Sequence, residues 1–345
     1  MSAMADTRGT RDGRPPSMAD VAKHAGVSHQ TVSRVLNDSP LVRDETRTRV
    51  LAAIDELGYR RNMAARMLAT NRSGRIGVVS AHLVLYGPSM ISAAVQEAGH
   101  RAGYDVSLVG LSEFSAESLR DAVERLLDQA VEALVVAIAQ RDAIAATADL
   151  KLAIPVVVVQ GVSAGQPMAA GIDQQAGARA ATEHLLDLGH RHVAHVTGPM
   201  DWVEAEQRRE GWRSAQAGRD LLPGPELTGD WSVSSGYSAG LRIADDPDVT
   251  GVFAANDAMA LGVLKAMHEK GRSVPADVSV VGFDDVPEAA YYWPSLTTVN
   301  QDFASLGGRA VDLALRALDG EDDPVCDLIE PGVVVRDSSG PARSS

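Results

Sequence analysis

The chain has 345 residues, a formal net charge of −14, and 45% hydrophobic but only 4% aromatic residues. These totals suit two or three compact units with cores of Ala, Val, Leu and Ile, as in helices packed on a parallel sheet. A single cysteine, Cys326, excludes an internal disulfide framework, no apolar run reaches the roughly 20 residues that span a bilayer, and the N-terminal "MSAMADTRGTRDGRPPS" lacks the apolar stretch of a secretory signal. A soluble, cytoplasmic protein is therefore expected. The charge is uneven: residues 1–75 hold 13 basic and 8 acidic side chains, the remainder 19 and 38. A basic head on an acidic body suits a chain whose head alone meets a polyanion, although a solvated basic tail would show the same balance.

After a tail over 1–16, Ser17 followed by Asp20 reads as a capping box that opens a helix at Met18. Val21, Ala22 and Ala25 mark its inner face, and Gly26 follows where a sharp turn needs positive φ. Ser28 then caps a second helix, whose Val32, Val35 and Leu36 face the first. This is helix-turn-helix spacing. A third helix over Asp44–Leu57, with Val50, Leu51, Ile54 and Leu57 as its inner stripe and Gly58 as its stop, completes a small bundle over 17–60. The second helix turns His29, Gln30, Thr31, Ser33 and Arg34 outward. Gln pairs bidentately with adenine, and Arg with guanine, in the major groove.

Residues 61–75 contain "RNMAARMLATNRSGR". The stretch 62–69 is long enough for one or two helical turns, too few to be stable alone. Its residues by themselves read as a flexible linker, with basic side chains around an exposed apolar pair, Met67 and Leu68.

From 76 to 336, β-branched runs alternate with helix-length amphipathic segments. The runs are "IGVVS", "YDVSLVG", "ALVVAIA", "IPVVVVQ", "HVAHVTG", "GVFAAN" and "VSVVGFDD". That rhythm predicts right-handed βαβ units and parallel sheets, in two similar lobes over 76–161 and 171–287. "LTTVNQD" and a helix from Phe303 to Leu318 are expected to cross back to the first lobe, and 337–345 to form a C-terminal tail. In such folds ligands sit beyond the carboxyl ends of the strands, so the cleft between the lobes is the expected site. Asn256, Asp257, Asp284 and Asp285 stand where strands end, although Asn and Asp are also common caps and turn formers there.

Two other motifs are read as structural. "GYSAG", Gly236 to Gly240, fits the nucleophile-elbow pattern, but an elbow needs a buried strand just before the serine. Here "WSVSS" precedes it, and Ser234 or Ser235 is expected to cap a helix containing Ser238. His190, His192 and His195 in "GHRHVAHV" have no accompanying Cys cluster and unfavourable spacing for a metal. No catalytic residue, metal or cofactor is assigned.

"MADVAKHAGVSHQTVSRVLN" followed by "TRTRVLAAIDELGYRRNMAARMLAT" resembles the head of the lactose-repressor (LacI) family of bacterial transcription regulators. "LVLYGPSM", "GDWS", "ANDAMALG", "SVVGFDD" and "LTTVNQDF" extend the likeness from about Met18 to Arg336, nearest the lactose-responsive members. The resemblance implies an α/β chain with a helix-turn-helix three-helix bundle and a two-lobed, periplasmic-binding-protein-like body. It implies DNA contact by Ser28, His29, Gln30, Thr31, Ser33, Arg34 and Asn37. It also implies a hinge helix at 61–75 that orders on DNA, with Asn62 and Ala65 at the duplex and Leu68 as an apolar wedge in the minor groove.

In the body the resemblance places Asn256, Asp284 and Arg208 on sugar hydroxyls, Trp231 and Phe303 as aromatic walls, and Leu85, Pro88 and Ile91 as an apolar floor. Gln160 stands where the sugar-responsive members carry an aspartate. Ala81 and Glu204 replace serines, and Ala137 replaces an asparagine. The purine-responsive branch fits less well. The expected function is a transcriptional repressor, released from a pseudo-palindromic double-stranded DNA operator by a sugar or galactoside-like glycoside. It is expected to act as a homodimer, since the heptad-bearing tail that makes tetramers is missing. An activator with the same parts, or a solute-binding protein for sugar transport, are the alternatives.

Overall fold

The computed structural model describes residues 14, 16–36, 39–60, 72–162 and 164–343. The chain divides into two compact units, Met1–Ser73 and Gly74–Ser345. In the first unit, α1 (Met18–Ala25), α2 (His29–Leu36) and α3 (Asp44–Leu57) form a bundle. The capping box is present: Ser17 accepts from the Asp20 amide, and Asp20 accepts from the Ser17 amide at 2.8 Å. Gly26 ends α1 at φ 64°, a conformation that a Cβ penalises. Ser28 Oγ accepts from the Thr31 amide at the start of α2.

Val21, Val32, Val35 and Val50 are buried together with Ala53 and Tyr59. Leu51 departs from the expected stripe, being 51% exposed while Ala53 is buried. At 100° per residue, positions 50, 53, 54 and 57 share a face and position 51 falls beside it.

The second unit holds two parallel sheets. In the first, β1 (Arg75–Ala81), β2 (Asp105–Leu111), β3 (Ala133–Ala137), β4 (Val156–Val159) and β5 (Ala169–Ala170) run in the order β2-β1-β3-β4-β5. Its helices are α4 (Tyr86–Arg101), α5 (Ala116–Asp128) and α6 (Arg141–Ala148). Ile91 and Val95 of α4 pack with Val78 and Val135 on one face, and Leu119 and Leu126 of α5 pack with Val79 and Leu134 on the other. Burial on both faces is why β3 reads as an unbroken apolar run.

The second sheet orders β6 (Val193–Thr197), β7 (Glu226–Thr228), β8 (Gly251–Ala254) and β9 (Ser279–Val281) as β7-β6-β8-β9. It is flanked by α7 (Gln174–Asp187), α8 (Val203–Ala217), α9 (Val233–Ala244) and α10 (Asp257–Glu269). The pair β10 (Thr298–Asn300) and β11 (Gly332–Val334) is antiparallel. Between them α11 (Phe303–Leu318) returns to the first lobe, packing on α4, β4 and β5. The chain therefore passes between the sheets near 171–173, 300–303 and 329–332. The strands β5 and β7 have no counterpart among the predicted runs, being two and three residues long.

Residues 337–343 are no free tail. Ser338 is fully buried, its Oγ donates to the Val280 carbonyl at 2.6 Å, and the Ala342 amide donates to the Leu188 carbonyl at 2.8 Å. The segment satisfies the edge of β9, a role that its polar composition does not reveal. Among the described residues no helix is long and apolar enough to cross a membrane.

"GYSAG" lies inside α9, capped by Ser232 rather than by Ser234 or Ser235: the Ser232 hydroxyl accepts from the Ser235 amide at 3.1 Å. Its two glycines have a packing role. A Cβ at Gly236 would overlap the Met259 carbonyl of α10, and one at Gly240 would lie 2.9 Å from Val263 Cα. Ser238 is exposed and donates to the Ser234 carbonyl at 3.0 Å, as a mid-helix serine does.

Candidate functional site

In the bundle, Ser28, His29, Gln30 and Arg34 are exposed or partly so, while Thr31 and Ser33 are partly buried. They share the helix that buries Val32 and Val35 on its other side. Thr31 is partly spent locally, its hydroxyl lying 2.9 Å from Ser28 Oγ. Of the sequence-predicted DNA contacts, Asn37, Asn62, Ala65 and Leu68 lie outside the described residues.

In the body, all nine sequence-predicted ligand residues line one cavity between the lobes: Leu85, Pro88, Ile91, Gln160, Arg208, Trp231, Asn256, Asp284 and Phe303. Topology explains the convergence. Leu85, Gln160, Trp202, Trp231, Asn256 and Asp284 each follow the carboxyl end of a different parallel strand, β1, β4, β6, β7, β8 and β9. The first lobe supplies an apolar floor, with Tyr86 edge-on to Phe303 at 5.9 Å. The second supplies most of the polar groups.

Those polar groups form a closed ring of side chains. Arg208 Nε donates to Gln174 Oε1 at 2.8 Å, Gln174 Nε2 to Gln301 Oε1 at 2.8 Å, and Gln301 Nε2 to Asp284 Oδ1 at 2.7 Å. Asp284 Oδ1 lies 3.7 Å from Arg208 Nη1, which also donates to the Ala255 carbonyl. The guanidinium stacks on Phe283 at 3.9 Å. Four side chains from two of the three lobe crossings, α8 and the end of β9 thus hold one another in fixed rotamers, a preorganised polar surface. Burial pushes the Asp284 carboxyl up to about 6, and the Arg208 guanidinium and the Gln301 bond limit the rise. Gln174 and Gln301 are site residues that the sequence does not single out; Gln301 lies inside "LTTVNQDF" without a distinguishing signal.

Asn256 serves two local ends. Its Oδ1 caps α10 by accepting from the Met259 amide at 2.8 Å, and its Nδ2 donates to the Trp231 carbonyl at 3.1 Å. Loss of that cap alone costs about 1 kcal/mol, whatever the ligand. Gln160, Trp231 and Asp284 have positive φ, at 84°, 72° and 112°. Non-glycine residues in that region are held there by surrounding structure and concentrate at functional sites. Among the described residues, Glu204 Oε2, Gln160 Oε1 and Trp231 Nε1 are buried in this lining with no hydrogen-bond partner.

Neighbouring candidates are structural. Asp257 does not line the cavity; it accepts from Thr298 Oγ1 at 2.5 Å and the Val286 amide at 2.9 Å. Burial, with Asp284 close by, raises its carboxyl to about 8. Asp285 pairs with Arg336 at 2.7 Å. Ala81 and Ala137 sit in the core, so those two departures do not alter the lining, whereas Glu204 does.

Two of the three histidines of "GHRHVAHV" are also accounted for. His190 Nδ1 pairs with Thr250 Oγ1 and its Nε2 with Ser279 Oγ, both at 2.9 Å. His195, stacked 4.7 Å from Phe253, is held neutral by burial, its pKa lowered to about 4.

Comparison with known proteins gives this architecture a place. A family model for bacterial regulatory proteins of the lacI family matches residues 17–62, and one for a periplasmic binding protein-like domain matches 182–339. The lactose operon repressor of Escherichia coli (strain K12) is 38% identical over 312 residues, 89% of this chain and 86% of its own length. The chain belongs to the lacI family.

Two solved structures of relatives bear on this lacI-family fold. The lac repressor dimer bound to operator and the anti-inducer ONPF superposes with a TM-score of 0.83 at 36% identity, over 95% of this chain and all of the other. The complex of the transcriptional regulator CelR with cellobiose gives 0.69 at 32%, over 94% of this chain and 99% of that one.

Proposed function

We propose that this lacI-family protein is a cytoplasmic, homodimeric transcriptional repressor, released from a pseudo-palindromic operator by a small sugar or glycoside. Two helix-turn-helix heads related by a two-fold axis read two half-sites, with α2 in the major groove. Arg34, Gln30 and His29 are assigned to base edges, and Ser28, Thr31 and Ser33 to phosphates or edges, from their chemistry and their positions on or capping α2. Asn37, Asn62, Ala65 and Leu68 are assigned to the same interface on family resemblance.

The observation that carries the effector half is the side-chain ring in the cavity. A carboxylate, a guanidinium and two amides locked into one surface beneath aromatic walls match the alternating donors and acceptors of a polyol. Such a site rejects analogues lacking a hydroxyl, because buried polar groups would then go unpaired. The relatives whose structures hold an operator or cellobiose support the same division of labour.

Titrating the full chain against duplexes selected from a random pool, by fluorescence anisotropy, tests the first half. Affinity should fall linearly with log salt concentration on logarithmic axes, and Arg34→Ala should weaken the selected site by about tenfold or more while relaxing its sequence preference. An affinity indifferent to salt, or an unchanged preference in Arg34→Ala, would remove α2 from the duplex.

A further inference from the structure

Glu204 distinguishes this cavity. The residue is 4% exposed and lines the cavity together with Gln160. Glu204 Oε2 and Gln160 Oε1 are buried without a hydrogen-bond partner among the described residues. Arg208, the nearby cation, is already committed to Gln174, the Ala255 carbonyl and Asp284. The lining therefore sets two carboxylates against one guanidinium, with two unpaired acceptors at one end. Trp202, two residues before Glu204, and Trp231 stand edge-to-face at 5.6 Å in the same lining, and the Arg208 guanidinium lies over the Trp231 ring.

We propose that the effector is an amino sugar of the free hexosamine class, whose protonated primary amine sits on Glu204 and Gln160 beside the two indoles. This rests on the sugar-effector reading above and narrows it. A hydroxyl has one hydrogen to donate and would leave one buried acceptor unpaired, whereas an ammonium donates to both and neutralises the surplus carboxylate. A uronic acid or sugar phosphate would bring like charge to Glu204. The unpaired Trp231 Nε1–H in the same lining accommodates a hydroxyl or ring oxygen of the same ligand. Burial raises the Glu204 carboxyl, which a bound ammonium would reverse.

Isothermal titration of the full chain at pH 7 tests this with galactosamine and glucosamine, the parent hexoses, their N-acetyl forms and the matching uronic acids. The expected result is that one amine binds about tenfold or more tightly than its parent hexose and its N-acetyl form. Glu204→Gln, isosteric and uncharged, should bring amine and parent within about twofold of each other. Glu204→Ser should do the same, which guards against an effect peculiar to the amide. Equal affinity for amine and parent in the unmodified chain, or a preference that survives both substitutions, would overturn the proposal while leaving a neutral sugar as effector. Binding of none of these compounds, with lactose and cellobiose also silent, would overturn the sugar reading and this proposal together.

Discussion

Arg208→Ala is expected to destabilise the body by about 3–5 kcal/mol, because it removes one partner of a buried ion pair and strands the other. Asp284, 7% exposed, would keep its Gln301 bond but lose its counter-charge, and Gln174 Oε1 and the Ala255 carbonyl would each lose a donor. Urea denaturation of the unmodified chain and the variant measures this directly. Sugar binding should be undetectable in the variant under conditions where it still folds. Arg208→Lys should recover little, since an ammonium cannot donate along both the Nε and Nη directions that the ring uses. A variant as stable as the unmodified chain would mean that the ring is ornamental, and retained sugar binding would exclude Arg208 from the site.

Gly262→Val should be comparably damaging for a different reason. A Cβ at Gly262 in α10 would overlap the Val233 carbonyl and lie 2.8 Å from the Gly236 carbonyl carbon, so the obstacle is the backbone of α9 and not a side chain able to turn aside. Overpacking of this kind costs about 3 kcal/mol or more, and the two helices must separate. Those helices begin at Val233 and Asp257, just beyond Trp231 and Asn256. The Asn256–Trp231 bond of 3.1 Å spans the pair and should be strained with it. Thermal melting should show the loss of stability, and ligand titration a weakened site. An unchanged melting temperature would show that the helices have room that the structure denies them.

Much of this is legible from residue order, because it depends on local pattern. Ser17 with Asp20, Gly26 and Gly58 fix helix ends by rules a few residues long, and the β-branched runs mark strands buried on both faces. Leu51 is misplaced by the pattern because Ala53, a small residue, carries the inner stripe. Strands β5 and β7 escape notice because so few residues carry no period.

In the site, Asn256 and Asp284 are visible as polar residues ending strands, and Arg208, Trp231 and Phe303 through family resemblance. Gln174 and Gln301 are not, since they meet across 127 positions of sequence at two separate lobe crossings, and glutamine carries no signal of burial. That Glu204 Oε2 lacks a partner among the described residues is equally hidden. A carboxylate reveals its lack of partners only when its neighbours are placed.

The central claim is that one chain reads DNA with its head and a sugar with its body, and that the two events are coupled. The measurement that tests it most directly is sugar affinity, for the tightest binder of the panel, with and without a saturating selected duplex. If sugar releases the protein, the duplex must weaken sugar binding by the same factor by which the sugar weakens duplex binding, a factor of about 5–150 for typical couplings. Equal sugar affinity in the presence and absence of the duplex would contradict the account.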